Sequence, residues 1–140
     1  MRVRCIKNNI FDVSDESAIE RLQKYIHLSD GQLNLELDAD YTVYGVLFRD
    51  NSPWYYLCLD EDDEYPKPFA SELFEVLDPK LSELWNLSSQ LMVSKKIMSE
   101  IVFSEWSEDS MFYERLVNGD PRAIDVFQKC RVLMDKEHAL

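Results

Sequence analysis

Two runs rich in β-branched and aromatic residues, 41–48 and 54–59, stand on either side of the polar stretch Arg49-Asp50-Asn51-Ser52-Pro53. Side chains of this kind pack well on a pleated surface, and a short polar break between two such runs reads as an antiparallel hairpin. That element restricts the chain to folds containing an antiparallel sheet. Material to cover the sheet is abundant: 46% of the 140 residues are apolar and 12% aromatic, including 3 Trp, 7 Tyr and 7 Phe. Chains that stay disordered lack such residues, and this length is enough for one domain with a real core. Residues 1–140 are therefore expected to form a single domain.

The remaining elements follow from local pattern. Residues 1–6 alternate, with Val3 and Cys5 against Arg2 and Arg4, which predicts a half-buried strand. Ser14 is a candidate N-cap, Asp15 and Glu16 place acid in a first helical turn, and Ile19, Leu22, Tyr25 and Ile26 share one face. Ser29-Asp30-Gly31 is the expected stop. Leu33, Leu35 and Leu37 alternate with polar residues in the manner of a strand, and a further strand is expected over 73–77. The stretch 91–106 is compatible with strand or helix and is read as mixed strand and turn. A short helix is expected from Ser107 to Val117, stopped by Asn118-Gly119. Asp120-Pro121 then pairs an N-cap with Pro at the first helical position, and Ala123, Ile124, Phe127, Cys130 and Met134 form the stripe of a last helix. The expected class is α+β: a small antiparallel sheet or partly open barrel on the central hairpin, with an N-terminal helix and a C-terminal helical hairpin.

Charge narrows the function. The chain has 27 Asp and Glu against 15 Lys and Arg, a formal net charge of −12, and residues 41–85 hold 10 of the acids but only 3 of the bases. Such a field repels nucleic acid and anionic membrane and speeds encounter with a cationic partner, although acidity also serves plain solubility. Cys5, Cys58 and Cys130 are odd in number and far apart, which fits reduced cytosolic thiols. No signal-peptide-like apolar run opens the chain and no stretch reaches membrane-span length, so a cytoplasmic protein is expected. The nucleotide-binding, hydrolase and metalloprotease motifs are missing, and His27 and His138 have no recognisable catalytic context. No catalytic residue, metal or cofactor is expected.

The candidate site lies after the second hairpin strand, where Asp60, Glu61, Asp62, Asp63 and Glu64 follow one another. The run lacks the Gly of a calcium loop and Pro66 follows closely, so metal binding is a poor reading. Five like charges repel and belong on a solvated loop, either as a plain loop or as an anionic knuckle for Lys and Arg of a partner. Aromatic residues flank the run. Strand alternation would turn some of residues 54–56 away from the core, so Trp54, Tyr56 and Tyr65 join the five acids as expected partner-binding residues. Tyr65-Pro66-Lys67-Pro68 is stiff and extended, first of all a connector.

Three stretches of the centre resemble a family of small bacterial proteins: Tyr41-Thr42-Val43-Tyr44-Gly45-Val46; Ser52-Pro53-Trp54-Tyr55-Tyr56-Leu57-Cys58; and Tyr65-Pro66 with Leu73-Phe74-Glu75-Val76-Leu77-Asp78-Pro79-Lys80-Leu81-Ser82-Glu83-Leu84-Trp85. The family is that of the immunity proteins of polymorphic toxin and contact-dependent growth inhibition systems, and the likeness spans residues 33–86. It implies a non-enzymatic protein that binds and silences one toxin domain, generally a nuclease, encoded beside it; apart from the resemblance, a monomer is expected. The family supplies no catalytic residues. Two other readings stand beside it: an acidic DNA mimic acting against restriction, and a small carboxylate- or metal-dependent enzyme using Asp60, Asp62 and Glu64.

Overall fold

A computed structural model describes residues 1–26, 30–91 and 94–138. In order they form β1 (Arg2–Cys5), α1 (Glu16–Gln23), β2 (Asp40–Thr42), β3 (Gly45–Arg49), β4 (Ser52–Leu57), β5 (Lys67–Ala70), β6 (Phe74–Asp78), β7 (Trp85–Leu91), β8 (Ile97–Phe103), α2 (Ser104–Ser107), α3 (Phe112–Val117) and α4 (Pro121–Lys136). The protein is α+β. Its two sheets are antiparallel, a three-stranded one in the order β2-β1-β6 and a five-stranded one in the order β5-β4-β3-β8-β7, and they do not close into a barrel.

The central hairpin is β3–β4. Arg49 pairs with Ser52, leaving a two-residue turn in which Asp50 and Asn51 both take positive φ, +52° and +62°. That geometry matches the twist of the flanking strands, and Asp and Asn tolerate it better than most residues. The expected five-residue break is thus shorter, with Ser52 and Pro53 inside β4. The run 41–48 also divides. Asp40–Thr42 pairs with β1, whereas Gly45–Arg49 pairs with β4 and β8, so the chain changes sheet at Val43 and Tyr44. Gly45 sits at the crossing because a Cβ there would lie 2.8 Å from Val102 Cγ1.

Both faces of the five-stranded sheet are covered where β4 crosses it. Successive residues of a strand point to opposite faces. Tyr55 meets Phe74 of the smaller sheet edge-on at 5.9 Å, while Tyr56 meets Trp106 at 4.7 Å and Tyr113 at 5.3 Å on the helical side. Phe103, Phe112 and Phe127 extend this aromatic layer. Such contacts contribute roughly 0.5–1.5 kcal/mol each beyond area burial. A continuous apolar cluster joins both sheets and the helices.

Elsewhere local pattern and structure part company. Asp15, not Ser14, caps α1, its side chain accepting from the Ser17 N–H. The helix ends at Gln23, and the expected stop begins at Ser29, outside the described residues. Leu33 and Leu35 are buried and Asn34 and Glu36 exposed, as alternation requires, but Leu37 is exposed against expectation, and apart from a single Asn9–Gln32 bridge this stretch joins no ladder. Within 91–106, apart from residues 92 and 93, which lie outside the described residues, the chain forms the end of β7, β8 and the start of α2, and the helix expected from Ser107 becomes the end of α2 and α3. Asp120 caps α4 through the Arg122 N–H, and Ala123, Phe127, Cys130 and Met134 are buried as the stripe predicts. No described helix is long and apolar enough to cross a membrane.

Candidate functional site

The five acids form the loop between β4 and β5, and the loop is built rather than merely exposed. Asp63 turns back, its carboxylate accepting from the Leu59 N–H at 2.9 Å and the Asp60 N–H at 3.2 Å. This ties off two backbone donors and fixes the local turn. Asp60, Glu61, Asp62 and Glu64 remain exposed.

Arg131 of α4 braces the loop from behind. Its guanidinium donates to the carbonyls of Asp60 at 3.1 Å and of Glu61 and Asp63 at 3.2 Å each. Gln128, one turn earlier, adds a bond to the Asp63 carbonyl at 3.2 Å. The same guanidinium lies over the Tyr44 ring, 5.4 Å from its centroid, and its Nε donates to the Tyr44 hydroxyl, which in turn donates to Asp135 at 2.7 Å. Burial, first of all, and the bond to Asp135 raise the Tyr44 hydroxyl far above its ordinary range, so it stays a neutral donor. The positive charge of Arg131 is therefore taken up by carbonyl dipoles and an aromatic face, leaving four carboxylates outward. Charge-assisted bonds of this kind are stronger than neutral ones.

Beside the loop runs a groove of about 410 Å³ whose lining includes Glu36, Asp40, Asp60, Glu61 and Asp135. Asp40 is held by Arg4 at 2.9 Å, and that bond keeps its carboxyl below the usual carboxylate range. Acid is thus presented on the loop and in the groove next to it, whose wall also includes Arg2 and Arg131.

The aromatic anchors divide differently from expectation. Trp54 is 2% exposed and Tyr56 3%, so neither offers contact area to a partner. Trp54 lies under Tyr25, just past α1, and under the Arg49 guanidinium at 4.7 Å; Tyr56 lies under Trp106 and Tyr113. Alternation places one face of a strand outward only when that face is left uncovered, and here helices cover one and the second sheet the other. Tyr65 is half-buried at the end of the loop, edge-on to Tyr113, with the Lys67 ammonium 5.8 Å from its ring centroid. It remains beside the acids. The expected connector enters β5 at Lys67, leaving Tyr65-Pro66 before the strand, and Pro68 is accommodated because β5 is an edge strand.

A second concavity lies on the helical side of the five-stranded sheet. One cross-strand row brings together Trp54, Leu47, Glu100 and Ser88. With Tyr56, Trp106 and Tyr113 they border a cleft of about 250 Å³, apart from Trp54, which lies at its edge beyond Arg49. Glu100 is only partly exposed, and its Oε2 is buried with no hydrogen-bond partner among the described residues. Burial pushes its carboxyl up to about 7, with Arg49 opposing the shift. Local sequence gives no sign of either Arg131 or Glu100 as a structural centre. Arg131 occupies the polar side of a helix, and Glu100 is one acid in a β-leaning stretch.

Among the described residues, no group of three or more His, Cys, Asp or Glu side chains is arranged to hold a metal ion. Cys5, Cys58 and Cys130 are free and buried, and burial raises all three thiols, Cys58 and Cys130 to about 12. Such thiols are poor nucleophiles.

No family model, curated protein or solved structure matches this chain.

Proposed function

We propose that this chain is a non-enzymatic, cytoplasmic immunity protein that binds a basic toxin domain, generally a nuclease, and covers its active or substrate-binding surface. The observation that carries this reading is the loop from Asp60 to Glu64: its backbone is braced by Arg131 while four of its five carboxylates face solvent. A preset anionic surface loses little ordering entropy on association and steers a cationic partner into contact. The groove lined by Glu36, Asp40 and Asp135 extends that surface, and Tyr65 supplies an aromatic group at its edge. The resemblance over residues 33–86 supplies the class of partner; the charge supplies the physics of inhibition, since a nuclease holds phosphates on a basic surface.

The test is co-expression with the toxin domain encoded beside this reading frame. Protection of the cells and a stable complex are expected. Neutralising the exposed acids together (D60N, E61Q, D62N, E64Q) should lower the association rate about tenfold or more at low salt and flatten its salt dependence. Failure of the wild type to protect, or a fourfold variant that associates as fast as wild type, would overturn the reading.

A further inference from the structure

We propose that the cleft between the five-stranded sheet and α2–α3 is a separate binding pocket for one cationic group, an ammonium or guanidinium on a short apolar stem. Its size suits such a ligand: about 250 Å³ is below the roughly 300–1,000 Å³ that takes drug-sized molecules. Its walls suit the stem and the charge. Trp106 and Tyr113 stack at 5.3 Å with their planes 12° apart, and Tyr56 packs against both. Tyr56 and Trp106 are buried, so the part-exposed Tyr113 is the ring that offers its quadrupole to a cation, and a desolvated site strengthens the attraction. Met98, Leu47 and Pro68 complete an apolar lining.

Charge then selects the sign. Three carboxylates border the cleft, Glu100, Asp109 and Glu114, against the single guanidinium of Arg49. Asp109 is paired with Arg115, but no ion pair engages Glu100 or Glu114 among the described residues. Arg49 does not satisfy Glu100 either. Its guanidinium is stacked on two rings, 4.3 Å from the centroid of Tyr25 and 4.7 Å from that of Trp54. A buried carboxylate oxygen without a partner is costly, and a cation held in the cleft offsets the charge of that carboxylate. The site does not depend on the acidic loop, so its success or failure is separate from that of the immunity reading.

The experiment is an NMR titration of the whole chain with n-butylammonium, following the Trp106 indole and the Glu100 amide, with butyrate as the probe of similar length and opposite charge. A dissociation constant of about millimolar is expected for so small a ligand, with little effect of butyrate. E100Q should weaken butylammonium binding about tenfold or more. For wild type, affinity should rise about tenfold from pH 6 to pH 8 as Glu100 ionises around 7. The other charged or titratable groups facing Glu100 are Arg49 on β3, Tyr56 on β4, Asp109, and Tyr113 and Glu114 on α3. Burial moves both tyrosines above their ordinary range, out of this pH window. The fourfold loop variant should bind as wild type does, separating the cleft from general acidity. Equal binding of butyrate, a pH-independent affinity, or no response to butylammonium would overturn the proposal, and the wild-type pH series decides it even if E100Q does not fold. Binding of N-acetyl-lysine-N′-methylamide as tight as that of butylammonium would assign the cleft to a protein side chain; binding of the free amine alone would assign it to a small molecule.

Discussion

The acidic loop and the Glu100 cleft use the same functional group to opposite ends. In the loop, carboxylates crowd together at Asp60, Glu61, Asp62 and Glu64, and solvent screens them while Arg131 holds only the backbone beneath. In the cleft, one carboxylate lies largely out of water with an unpartnered oxygen, and its carboxyl is pushed up to about 7. Charge density along the chain is therefore a poor guide to electrostatic free energy. Solvation decides it, and solvation depends on what packs above each residue.

The sharpest way to break this contrast is the pH dependence of stability in wild type and E100Q. The folded-state carboxyl of Glu100 is raised, so between about 4.5 and 7 the folded chain holds a proton that the unfolded chain has released. Stability therefore falls as pH rises through that window, and the penalty is complete above it, about 3 kcal/mol at most. Urea denaturation at pH 5 and pH 8 should show wild type losing stability relative to E100Q by up to that amount. Parallel behaviour of the two proteins would show that Glu100 is well solvated. The reference variant is needed because His138 and the Met1 amine, both lowered chiefly by burial, act in the opposite sense.

Next in size is the brace. R131A removes three bonds to loop carbonyls and the contact with Tyr44, and should cost about 2 kcal/mol. Hydrogen exchange should then speed at residues 60–64 and not in β7 or β8; uniform loss of protection would mean that loop and cleft are one cooperative unit. D63A deletes the carboxylate that accepts from Leu59 and Asp60, and should cost about 1 kcal/mol in the same denaturation assay. Smallest of all is the fourfold neutralisation of the exposed acids, which should change stability by no more than about 0.5 kcal/mol. A larger destabilisation there would contradict the view that those charges serve an external partner rather than the fold.

The elements whose signals are local were legible in advance. Asp120-Pro121 announces α4 because a cap and a preset φ act within one turn. The β3–β4 hairpin is visible because Asp50-Asn51 can take the positive φ that a two-residue turn demands. The location of the acidic loop was equally plain, since five adjacent like charges have nowhere to go but water. Trp54 and Tyr56 show where this ends. Their alternation with Tyr55 is real, but which face meets solvent depends on α2, α3 and the region past α1, all remote in sequence. The same holds for residues 33–37, whose burial alternates through Glu36 without a partner strand to make a ladder and is lost at the exposed Leu37.

By itself, then, the sequence determined the class of fold, the central hairpin, the last helix and the concentration of negative charge between residues 41 and 85. Those depend on backbone propensity, periodicity and composition, which act over a few residues. Only tertiary structure decided that 41–48 serves two sheets, that Arg131 braces the loop from 68 to 71 residues away in sequence, and that Glu100 is a carboxylate with a buried, unpartnered oxygen beside aromatic walls. Each of these depends on desolvation and contact between distant segments, and no local pattern encodes which segments will meet.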